Sequence, residues 1–153
     1  MESPLQDAIA SHRTAETKQE EHWNNMTIHS KKSYEAIISS AYMFKTQGAY
    51  GSFEKAITAL MKRKPIIADR FSRSSCEKYF RIALKVVGDA LEFETNYIKG
   101  NHVKKTSSGW IDQETMTKIS KQMEAYLEDK NPDAPPIFIE RSIGRISYLY
   151  HWA

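Results

Sequence analysis

The chain has 153 residues, 41% hydrophobic and 27% charged, a composition that suits one domain with a full core and excludes wholesale disorder. A lone cysteine, Cys76, excludes an internal disulfide or a multi-cysteine zinc site and favours a reducing compartment. The net charge of +3 is uneven: Lys and Arg stand against Asp and Glu as 6 to 7 (−1) over residues 1–60, 11 to 5 (+6) over 61–109 and 5 to 7 (−2) over 110–153.

Ser3, Pro4 and Gln6 read as N-cap, N1 and N3 of a first helix, followed at helical spacing by Leu5, Ala8, Ile9, His12, Ala15, Gln19 and Trp23. This apolar stripe is thin, so residues 1–25 are expected either to dock loosely or to complete their face against a partner. A second helix is expected from about Thr27 to Thr46, burying Ile37, Ile38, Ala41, Tyr42 and Phe44 and ending before Gly48. Ser52 and Lys55 stand at cap and N3 of a short third helix through Phe53, Ala56, Ile57, Leu60 and Met61, which Pro65 must stop. Ile66 to Phe71 then forms a connector packed through Ile66, Ile67 and Phe71.

The longest helical signal runs from Ser74 to Gly100, a helix over about 75–99. Ser74 and Glu77 have capping-box spacing, and Gly100 supplies a left-handed stop. Its apolar residues, from Tyr79 and Phe80 through Val86 and Val87 to Phe93 and Ile98, cover more than a single stripe, so neighbours must wrap it. One polar row remains, formed by Lys78, Arg81, Lys85, Asp89, Glu92, Asn96 and Lys99. Residues 100–109 form a polar loop, and Asp112 caps a fifth helix carrying Met116, Ile119, Met123, Tyr126 and Leu127 to about Lys130. Residues 131–136, with three prolines, read as a stiff extended linker. In residues 137–152, Ile139, Ile143, Ile146 and Tyr150 fit a helix, while Ile146, Tyr148 and Tyr150 also alternate as in a strand; helix is favoured because a lone strand would lack a partner. The expected fold is a single all-α domain over 1–153, a bundle of five to six helices around the central one.

The search for chemistry excludes more than it finds. The Glu-x-x-His pair of di-iron bundles, the His-Glu-x-x-His zinc helix, the phosphate-binding Gly-Lys-Ser/Thr loop and the Gly-x-Ser-x-Gly elbow are all missing. No catalytic residue, metal or cofactor is assigned. Cys76, near the start of the central helix with Arg73 and Lys78 close in sequence, reads as a small buried hydrophobe rather than a nucleophile. The positive hint is the basic middle third, whose candidate nucleic-acid-binding residues are Lys62, Arg63, Lys64, Arg70, Arg73, Lys78, Arg81, Lys85, Lys104 and Lys105. Such a cation row suits phosphates, and Phe71, Tyr79 and Tyr148 would stack on unpaired bases wherever they are exposed. The bland alternative is a solvated face paired with acidic residues of the first and fifth helices.

Two sets of residues resemble known families. Tyr42, Gly48, Tyr50, Ala56, Leu60 and Pro65 resemble part of a tetratricopeptide unit, but the spacing departs from that repeat and no second copy follows. Arg145 and His151 near the end of a small helical chain resemble the Arg and His of HEPN-type ribonucleases, which implies acid–base and electrostatic work on an RNA phosphodiester. Neither a membrane span nor a signal peptide is expected, so the Asn25-Met26-Thr27 sequon reads as accidental and the protein as intracellular, in cytoplasm or nucleus. The leading expectation is a non-enzymatic interaction module that binds nucleic acid or an acidic protein surface, within a larger assembly. The competing expectations are a helical adaptor or homo-oligomer and a HEPN-like ribonuclease.

Overall fold

A computed structural model describes residues 28–99 and 111–150, and these contain five α-helices, two π-helical turns and no strand. The helices are α1 (Ile28–Gln47), α2 (Phe53–Met61), α3 (Arg73–Phe93), α4 (Gln113–Lys130) and α5 (Pro136–Tyr150). One π turn, Lys64–Ala68, joins α2 to α3, and the other, Glu94–Lys99, continues α3. The protein is all-α, and residues 137–150 are helical rather than strand. The first helix expected over residues 4–23 and the loop over 101–109 lie outside the described residues.

Local signals set most of the boundaries. Gly48 leaves α1 with φ +64°, a conformation open to glycine at little cost. Ser52 caps α2, its hydroxyl accepting from the Lys55 amide at 3.2 Å. Pro65 falls in the first turn of the following π turn, where its missing N–H leaves no bond unmade. Asp112 caps α4 twice over, its carboxylate accepting from the Thr115 amide at 2.9 Å and the Thr115 hydroxyl at 2.8 Å.

Three expectations need correction. The cap of α3 is Ser72 rather than Ser74: Ser72 is extended (φ −66°, ψ 162°) and accepts from the Ser75 amide at 3.2 Å. Ser74 is thereby inside the first turn, and Glu77 pairs with Arg73 at 3.4 Å instead of closing a capping box. The cause is tertiary, because the Phe71 ring is held by Tyr34 and Tyr79 (centroids 5.5 Å in each case) and the next residue, Ser72, meets the helix first. Residues 131–136 are not an extended linker either. The Ala134 amide donates to the Asn131 carbonyl at 3.1 Å, Asn131 is buried, and α5 already starts at Pro136. Finally, regular α-helix ends at Phe93, and the wider π turn carries the chain to Lys99.

α3 is the centre of one core and touches α1, α2, α4 and α5. Its residues Cys76, Phe80, Ala83, Val86, Val87, Ala90 and Phe93 are all buried. A fully buried side chain such as Phe80 contributes about 1.5–3 kcal/mol by leaving water. The wrapping is less complete than the sequence implied: Tyr79, Ile82, Leu84 and Leu91 are half-buried and Tyr97 is 48% exposed. A second aromatic group ties α1 to α3 and α5, with Tyr34 meeting Tyr79 edge-on at 5.1 Å and Phe138 at 5.9 Å. Burial, and then the hydrogen bond with Tyr79, pushes the Tyr34 phenol well above its ordinary pKa.

Candidate nucleic-acid interface

The basic corner is built by a change of direction. α2 ends at Met61, the π turn follows, and buried Ile67 draws that turn inward while the Ser33 hydroxyl donates to the Ile66 carbonyl. The apolar side of the turn is thus used up by the core, and Lys62, Arg63, Lys64 and Arg70 face solvent. None of these four is ion-paired among the described residues, and exposed Asp69 is the one carboxylate between them in sequence. Exposed like charges this close in sequence raise the local potential and attract anions.

The cations along α3 behave differently. Arg73 pairs with Glu77 at 3.4 Å and donates to the Thr58 hydroxyl of α2 at 3.4 Å. Arg81 lays its guanidinium 4.9 Å from the centroid of Phe53, and the Lys78 ammonium lies 5.5 Å from that of Tyr79. Lys85 is fully occupied: its ammonium donates to Asp89 at 3.0 Å, to the Lys130 carbonyl at 2.8 Å and to Asn131 Oδ1 at 3.0 Å. Three donors meet three acceptors, so Lys85 fastens the end of α4 to α3. Asn131 Nδ2 completes the clasp by donating to Asp89 at 3.1 Å and to the Leu127 carbonyl at 2.9 Å. Lys104 and Lys105 lie outside the described residues.

Among the aromatic candidates, Phe71 and Tyr79 are half-buried in the Tyr34 cluster and present no free ring. Tyr148 is different, at 77% exposure, and neighbouring Leu149 is 51% exposed. Both border an open groove of about 1200 Å³ between α1 and α5, which the π turn closes at one side. Four cations line it: Lys32, Arg63, Arg141 and Arg145, against the two carboxylates Glu35 and Glu140. Arg141 is ion-paired with Glu35, while Arg145 stacks over Tyr42 at 4.8 Å and donates to the Ser39 hydroxyl at 3.0 Å. Of the residues singled out for nucleic acid, the groove takes in Arg63 and Tyr148. It adds Lys32, Arg141 and Arg145, which charge totals by region concealed because acidic neighbours in sequence cancel them. The spacing of Arg141 and Arg145, four apart on one helix face, was the available signal.

Cys76 is fully buried, and desolvation pushes its thiol up to about 11, with Glu77 adding to the rise and Arg73 opposing it. Such a thiol stays protonated near neutral pH and is a poor nucleophile. Arg145 of the HEPN resemblance is held by Tyr42 and Ser39, and its companion His151 lies outside the described residues. No group of three or more His, Cys, Asp or Glu placed to hold a metal ion occurs among the described residues, nor is any described helix long and apolar enough to cross a membrane. Comparison with protein-family models, curated proteins and solved structures gives no match for this chain.

Proposed function

We propose that this protein is a non-enzymatic binding module whose basic corner holds nucleic acid by its phosphates. The observation that supports this reading is the exposed, unpaired state of Lys62, Arg63, Lys64 and Arg70, set beside an α3 row where Arg73 and Lys85 are engaged within the fold. A site made of such cations contacts backbone rather than base edges, so little sequence preference and a steep salt dependence are expected. Arg63 belongs to both the corner and the lining of the α1–α5 groove.

The test is a fluorescence-anisotropy titration with single- and double-stranded RNA and DNA at two salt concentrations. Binding that weakens as salt rises supports the reading. No association with any of the four at low salt removes it.

A further inference from the structure

We infer that the groove between α1 and α5 receives an unpaired nucleic-acid strand and that Tyr148 is the stacking platform for one of its bases. This rests on the function proposed above and names the form of nucleic acid the site takes. α1 and α5 are directly packed neighbours, so the groove runs along their outer seam. The Tyr148 ring is largely in water, and an aromatic face pairs with a base that has left its own stack. Arg145 is oriented by Tyr42 and Ser39, and its other N–H groups have no partner among the described residues, which leaves them for a phosphate. Lys32 and Arg63 supply exposed charge on the same groove, and Arg141 offsets Glu35.

The lining also separates a nucleic-acid strand from an acidic protein helix. A helix docks by inserting apolar anchors into an apolar furrow. Here the aliphatic lining is limited to Ala36, Ile66 and Leu149, and Ser39, Thr46 and Gln47 stand beside the four cations. Hydroxyls, amides and cations are the groups that contact sugar and phosphate.

The experiment uses the full chain and fluorescein-labelled oligouridine, a duplex RNA of equal length and polyglutamate as an acidic peptide probe. The unsubstituted protein should prefer the single strand. Tyr148→Ala should weaken oligouridine binding about tenfold, leave duplex binding and salt slope unchanged, and be rescued by Tyr148→Trp. Arg63→Ala should weaken binding and flatten the salt slope. Equal binding of single strand and duplex, or an unchanged oligouridine affinity for Tyr148→Ala, overturns the inference. Should the latter occur while a Lys62→Glu, Lys64→Glu, Arg70→Glu variant loses binding, the phosphate-binding function stands and the groove assignment falls. Polyglutamate binding as tightly as oligouridine would make the occupant an acidic peptide and also overturn it. Failure of the unsubstituted protein to bind any nucleic acid removes both proposals.

Discussion

Two neighbouring stretches of cations, residues 62–70 and 73–85, meet opposite fates. At the corner, Lys62, Arg63, Lys64 and Arg70 project from a turn whose apolar side is consumed by Ile67, and no carboxylate of the described residues pairs with them. Along α3, Arg73 and Lys85 meet carboxylates one turn onward, Arg81 covers Phe53, and Lys85 also caps another helix. The lesson is that a positive run has meaning for binding only after its intramolecular partners are subtracted. Surface pairs such as Arg73–Glu77 add little stability, yet they lower the charge an outside ligand meets.

The contrast can be broken at its foundation by Phe80→Ala. That ring lies in the core on α3, tilted against Phe53 at 5.4 Å and edge-on to Phe44 at 5.8 Å, and is fully buried. Its removal should cost about 3–5 kcal/mol of unfolding free energy in a urea titration. A sharper cut comes from reversing charge at the corner alone. The triple variant Lys62→Glu, Lys64→Glu, Arg70→Glu should lower RNA affinity at least about tenfold at 0.1 M salt while the thermal midpoint barely moves.

Lys85→Met is the mirror experiment. It leaves the Lys130 carbonyl and Asn131 Oδ1 without their cation, and because the Lys85 side chain is 57% exposed the loss should be only about 1 kcal/mol by urea melting. RNA affinity should change less than for any corner substitution. A larger binding defect than stability defect would place Lys85 with the corner and erase the distinction.

The smallest effect is expected at Asp112. Hydrogen bonds from the Thr115 amide, then from its hydroxyl, hold this carboxyl below its ordinary pKa. Its folded value is therefore lower than its unfolded one, so the stabilisation is present above the ordinary Asp value of about 3.9 and is lost as pH falls through the depressed value. Asp112→Asn keeps a capping oxygen without the titration, and should make the acid-side decline of the melting temperature shallower while leaving RNA binding unchanged.

Much of the scaffold was legible because its signals are short-range. Ser52 with Lys55, Asp112 with Thr115, Gly48 after α1 and Pro65 after α2 act within a few residues, and each marks the expected boundary. The apolar periodicity placed Phe80, Ala83, Val87 and Ala90 in the core, and Met116, Ile119, Met123 and Leu127 beside them. Ser72 defeated the capping-box reading because Tyr34, far away in sequence, fixes the Phe71 ring and with it the start of α3. Residues 131–136 escaped for a similar reason: Asn131 is folded inward by Asp89 and Leu127.

By itself, then, the sequence determined an all-α fold, the helix ends marked by Gly48, Ser52 and Asp112, and the identity of the central helix, since caps, glycines and a 3.6-residue period are properties of neighbouring residues. Only the tertiary structure decided which cations remain free and which aromatic ring reaches water. The clasp between Lys85 and Lys130, the stacking of Arg145 on Tyr42 and the groove edged by Tyr148 all join residues distant in the chain. Such contacts exist only once the helices have packed, because a side chain's partner is set by the neighbouring surface rather than by the adjacent residue.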